Sequence, residues 1–258
     1  IVQAYSGGMS ITGKDAKSPT RAGIPIGDLG SGLYSVIGIL SALYSREKTQ
    51  KGQHIDLSLL DVQISLLTYM ATMQTLSGID PEPIGNAHFV HVPYNSFTTS
   101  DGFVVIAVIT DEFWQSLKSV VNVGSLDDSK FDSSIDRLKN QAFIENELNK
   151  VLSTQTSDHW IDKLNKAKVP CAPINKFSDA LNDEQVKHRN MIVEVEHPDG
   201  GFVKMPGNPV KMSYTNEESY SSPPHLGTDT REILKNWSKY EDDKIESLEN
   251  EKIIQSID

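Results

Sequence analysis

Between Asp28 and Lys48 the residues Leu29, Leu33, Val36, Ile37, Leu40 and Leu43 recur at helical spacing, and no proline interrupts them. That pattern predicts one long helix. It starts near Asp28 and ends between Lys48 and Gly52, where Arg46, Lys48 and Lys51 sit beside its negative end and Gly52 supplies a stop. An apolar stripe of this length needs a packed partner, which requires a globular fold with a substantial core; 258 residues can supply one. Ile55, Leu57 and Leu59 then alternate as in a short strand, and Leu60, Ile64, Leu67, Met70 and Met73 return to helical spacing up to Gly78. The expectation is a helix, strand, helix unit.

From Asp80 to Pro93, three prolines stand among Gly85, Asn86, His88 and His91 with no clean period, so a long loop and a domain boundary are expected there. Tyr94 to Thr99, the turn Ser100-Asp101-Gly102, and Phe103 to Ile109 read as a β-hairpin. Helices follow over Asp111 to Val121, around Arg137 to Leu152, and over Ser157 to Ala167. Val169 to Ile174 holds two prolines and reads as an extended linker to a short helix near Ser178. Met191 to His197 and Phe202 to Met205, joined by Pro198-Asp199-Gly200-Gly201, make a second hairpin. A Pro-containing passage leads to Pro224, and a last helix starts near Thr228. From Lys239 onward an acidic segment reads as a solvated helical or frayed tail.

The charge balance narrows the partners. Lys and Arg number 24 against 35 Asp and Glu, a net charge of −11, which argues against nucleic acid and requires any anionic ligand to be held locally. No apolar run approaches the length that spans a bilayer, so no membrane partner is expected. Cys171 stands alone, which forbids an internal disulfide, gives no CxxC or zinc motif and fits a reducing compartment; its expected state is a bland buried thiol. The chain opens on Ile1, and Ile-Val-Gln-Ala-Tyr-Ser-Gly-Gly-Met-Ser reads like the middle of a domain, so a preceding segment is expected.

Two places could carry chemistry. Asp28 follows Gly27 and precedes Gly30-Ser31-Gly32 at a helix start. It can be an N-cap accepting backbone N–H groups, or a nucleophile kept anionic by the positive helix end, with glycines leaving room for a carbonyl to approach. Gly85-Asn86-Ala87-His88, followed by His91 and Pro93-Tyr94, can be an ordinary surface loop or one that closes over a ligand with His88 or His91 carrying a proton. The His residues lack HExxH or comparable metal spacing, and no metal site is expected. GxSxG, P-loop and GxGxxG motifs are absent; Gly27, Gly30 and Gly32 miss the dinucleotide spacing.

Several stretches in order resemble the class III CoA-transferases: Ser6 to Gly13, Ile24 to Leu29, Lys51 to Asp61, Gly85 to His88 with Pro93-Tyr94 and Asp101-Gly102, Val169 to Asn175, Met191 to Pro198, Met205-Pro206-Gly207, and Pro223 to Thr230. The resemblance runs to about Tyr240. It implies an α/β fold: part of a Rossmann-like large domain over residues 1–78, a smaller α+β domain over 79–185, and a return segment with the acidic tail over 186–258, in an interlocked homodimer. It also implies that Asp28 is the nucleophile in transfer of CoA from an acyl-CoA, succinyl-CoA among them, to a carboxylic acid through an aspartyl-CoA thioester. On this reading CoA is a substrate, no metal or redox cofactor is needed, and Gly85, Asn86, His88 and His91 belong to a lid. The cytoplasm is the implied compartment, or the mitochondrial matrix in a eukaryote. Family members extend well upstream of the position of Ile1, and Phe89 stands where the lid usually has a proline. Two rival readings share these residues: an acyl-CoA racemase or isomerase of the same fold, and a non-catalytic binding or assembly subunit.

Overall fold

A short helix, α1 (Val2–Tyr5), and a glycine-rich stretch lead to α2 (Ile26–Thr49), in a computed structural model that describes residues 1–215 and 219–256. Helix α2 spans the segment its period predicts. It stops at Gln50, which turns left-handed and returns its N–H to the Arg46 carbonyl, two residues ahead of the expected glycine. The face of α2 that is covered is not the apolar one. Gly27, Gly30 and Ser31 are buried, whereas Leu33 is 68% and Leu40 60% exposed.

The cause is the approach of α3 (Leu59–Leu66), which crosses α2 over its smallest residues. A Cβ on Gly30 would lie 3.0 Å from Leu66 Cδ1 and 3.3 Å from Val62 Cγ1, so glycine there sets the interhelix distance. By length and composition alone α2 could cross a membrane: 24 residues with a mean hydropathy of 1.4 over 18 of them. That corrects the reading that no apolar run approaches that length. Interspersed Gly, Ser and Tyr break the run, but the Leu, Ile and Val residues outweigh them in the average.

The expected helix, strand, helix unit loses its strand. Residues 50–58 are irregular, and none of their backbone is paired in a ladder. Alternation alone cannot make a strand without a partner for its N–H and C=O groups. The helix expected to run to Gly78 is two, α3 and α4 (Tyr69–Ser77), broken at Thr68 with φ +50°.

After the proline-rich loop, β1 (Tyr94–Thr98) and β2 (Phe103–Ala107) form the expected hairpin, with Phe97 opposite Val104 and Asn95 opposite Ile106. The linker Val169 to Ile174 is more than a linker. Its β3 (Cys171–Pro173) pairs antiparallel with β2, making β2 the centre of a three-stranded sheet. Pro173 is tolerated because β3 is an edge strand, where the missing N–H costs no ladder bond.

Helices α7 (Gln141–Leu152) and α8 (Ser157–Lys166) pack on this sheet, α5 (Asp111–Val121) packs against both, and α6 (Ser134–Lys139) packs against α7. The helix expected around Arg137 to Leu152 thus begins earlier and is interrupted at Asn140. Phe97, Ile106, Trp114, Leu117, Leu148 and Leu164 are fully buried in one core drawn entirely from residues between Val92 and Val169. All these elements lie in the first of two units, Ile1–Ile174.

The second unit, Asn175–Asp258, contains α9 (Phe177–Asn182) and α10 (Glu184–His188), then the hairpin β4 (Ile192–Glu196) and β5 (Phe202–Pro206). Its turn uses Gly200 and Gly201, both at positive φ, and closes with the His197 N–H on the Gly201 carbonyl. The passage before Pro224 includes residues 216–218, which lie outside the described residues, as do the last two of the tail. After α11 (Thr230–Asn236), the segment expected as a solvated tail holds α12 (Asp242–Asn250). That helix buries Ile245 and pairs Glu249 with Arg231. The chain is therefore mixed α/β with small sheets.

Candidate active site

Asp28 is the third residue of α2, exposed, in the first turn. Pro25 is the capping residue and has no side-chain donor or acceptor, so the N-cap reading of Asp28 is corrected: the carboxylate lies three positions past the cap, within the first turn and near the positive helix end. Its neighbours are fixed from beneath. Ser31 Oγ donates to the Gly27 carbonyl at 2.7 Å, and Gln63 of α3 packs against Gly27, where a Cβ would stand 3.5 Å from Gln63 Nε2. Gln63 is buried, and its Nε2 has no hydrogen-bond partner among the described residues. The sequence reading passed over it, because a glutamine inside an amphipathic pattern carries no signal of its own.

The segment from Ser6 to Gly13 reaches from Gln63 to the loop. A Cβ on Gly8 would lie 3.7 Å from Gln63 Oε1, and the Gly13 carbonyl accepts the Gly85 N–H at 2.9 Å. Asn86 Nδ2 donates to Ser96 Oγ at 2.9 Å. Gly85 and Asn86 line a cavity of about 600 Å³ with Thr12, Lys14, Ile84, Asn95 and Ser96. A second cavity, of about 250 Å³, lies among Ala87, His88, Phe89, Asn95, Gln141 and Glu145.

His88 is half-buried and folds the loop onto itself. Its Nδ1 accepts the N–H groups of Val90 and His91 at 3.1 and 3.2 Å, and its ring stacks on Tyr94 and tilts against His91. Burial, then the neighbouring His91, hold its pKa below the ordinary histidine value. The loop's exit is tied down by Arg137, also missed from sequence. The buried guanidinium donates to the carbonyls of Val92, Phe131 and Asp132 and to Asp111 Oδ1.

The structure brings Gly85, Asn86, His88 and His91 together in one loop; Asp28 lines neither loop cavity. Cys171, beside the Asn165 side chain, has a pKa raised by burial, as an inert thiol should. A further cavity of about 500 Å³ in the second unit is lined by none of the predicted site residues.

Comparison with known proteins bears on the whole arrangement. Residues 1–230 match the family model described as CoA-transferase family III. The chain is 33% identical over 253 residues to succinyl-CoA:glutarate CoA-transferase of Mus musculus, covering 96% of this chain and 57% of that protein. It is 38% identical over 215 residues to acetyl-CoA:oxalate CoA-transferase of Acetobacter aceti, covering 83% of this chain and 54% of that one. The crystal structure of a CAIB/BAIF family protein from Brucella suis superposes with a TM-score of 0.75 at 33% identity, over 86% of this chain and 58% of that one. The chain spans a little over half the length of the curated relatives it matches. With the ordered motifs and the fold in agreement, the chain belongs to CoA-transferase family III.

Proposed function

We propose that this chain supplies the nucleophile of a CoA-transferase that moves CoA from an acyl-CoA to a carboxylic acid, with Asp28 as the attacking group. The observation that carries the reading is an exposed carboxylate in the first turn of a long helix, flanked by glycines and braced from below by α3. An Asp28 oxygen attacks the thioester carbonyl and expels CoA thiolate, leaving a mixed anhydride. The thiolate attacks the Asp28 carbonyl, the donor acid departs, and an aspartyl-CoA thioester remains. The acceptor carboxylate attacks that thioester, releasing thiolate and forming a second anhydride. Thiolate then attacks the acceptor's acyl carbon, and Asp28 leaves as carboxylate.

Each tetrahedral intermediate carries an oxyanion, and the positive N-terminal end of α2 suits it. Water would hydrolyse the anhydride, which gives the Gly85–His91 loop its role as a lid. Relatives named for succinyl-CoA support that donor, and we read the protein as a homodimer with a Rossmann-like large domain. The test is to incubate the full-length protein with succinyl-CoA and digest it. A hydroxylamine-sensitive CoA adduct is expected on the peptide containing Asp28 and none in D28N. Turnover with no adduct on that peptide rejects the role.

A further inference from the structure

We propose that His88 is the positioning residue of the loop: as a neutral imidazole it clasps the turn through Nδ1, and protonation releases the turn, so that closure depends on pH. The inference rests on the reading of this loop as a lid. The geometry leaves one tautomer. Nδ1 accepts two backbone N–H groups, from Val90 and His91, so the ring proton is on Nε2. A proton added at Nδ1 sets a donor against two donors, breaks both bonds, and places a cation beside the His91 ring, whose centroid is 4.6 Å away.

The groups facing His88 come from three elements. His91, on the same loop, opposes protonation. Tyr94, from β1, stacks on the ring at 5.2 Å and fixes its plane. Glu145, from α7, shares the smaller cavity and, like the π face of Tyr94, favours a cation there, but its two oxygens are already taken by Asn95 Nδ2 at 3.1 Å and Gln141 Nε2 at 2.9 Å. Burial and His91 both act against the charged form, in the direction the clasp requires. A histidine of this kind is a switch for the turn rather than a proton carrier for the reaction.

The experiment measures hydrogen exchange of the peptide spanning residues 84–94 in the full-length protein between pH 7.5 and pH 5, corrected for intrinsic exchange. It also measures hydrolysis of the Asp28 adduct over the same range. In the unaltered protein, protection of that peptide falls and adduct hydrolysis rises, each by about tenfold, the size expected for two lost hydrogen bonds. In H88N, whose carboxamide oxygen accepts the same N–H groups without titrating, the protection changes less than about twofold with pH. In H88F, which keeps the stack on Tyr94 and has no acceptor, protection is low at every pH.

A pH response in H88N equal to that of the unaltered protein, or full protection in H88F at pH 7.5, overturns the proposal. The two readouts separate the claims. Exchange behaving as described with no adduct at any pH would sink the Asp28 reading and leave the clasp standing. A normal adduct with pH-independent exchange would sink the clasp alone.

Discussion

Gln63 leaves a buried amide N–H unpaired beside Gly27, a state that costs stability. Replacing it by methionine removes the unpaired donor and keeps the volume. Q63M is therefore expected to be more stable by about 1 kcal/mol, and a lower melting temperature would contradict the geometry. Arg137 is the reverse case, since its guanidinium satisfies three main-chain carbonyls in addition to Asp111. R137M orphans those carbonyls, and denaturant unfolding is expected to show a loss on the order of 3 kcal/mol. For Cys171 the raised pKa predicts slow alkylation by iodoacetamide at neutral pH in the folded protein and fast alkylation in urea; equal rates would contradict it. The inert thiol was expected from the sequence, but the partners that surround these three side chains were not. Each depends on groups brought to the side chain by other elements, as Val92 and Asp111 are brought to Arg137.

Elements behave according to what their residues can satisfy locally. The turn before β2 is pinned to the start of α8 by Asp101, whose Oδ1 accepts the Ser157 N–H at 2.8 Å and the hydroxyls of Ser157 and Thr99. These bonds, the Ser157 N–H first, hold the Asp101 carboxyl below the usual carboxylate range. A folded pKa below the unfolded one stabilises at pH values above the unfolded pKa, and that contribution is lost as the pH falls through the folded pKa. The melting temperature of D101N is thus expected to lie below that of the unaltered protein at pH 7, with the gap narrowing by about pH 3. A gap independent of pH would show that the carboxylate does not matter. The α2–α3 crossing makes a steric prediction: G30V forces two extra methyls and a Cβ into the space held by Leu66 and Val62, with an expected loss of about 1–3 kcal/mol. The glycine at position 30 was visible in the sequence, but its reason was not, since α3 lies some thirty residues further on.

At the scale of the whole molecule, the uncovered face of α2 is the dominant fact. Leu29, Leu33, Val36, Ile37 and Leu40 are each at least half exposed, and the chain accounts for a little over half the length of its curated relatives. A face of this size calls for a covering partner surface. Residues 1–258 should therefore bind a dye such as ANS and self-associate. Dye binding at the level of an ordinary folded monomer would refute that expectation. The sequence by itself determined where α2 runs, where both hairpins turn, and which ordered motifs the family shares, because period and turn chemistry are settled by residues a few positions apart. Only the tertiary structure decided which face of α2 is covered, that Ile55 to Leu59 forms no strand, that Thr68 breaks a helix, and that β3 completes a sheet. Those outcomes depend on whether a distant segment supplies packing and hydrogen-bond partners, and no stretch of sequence carries that information alone.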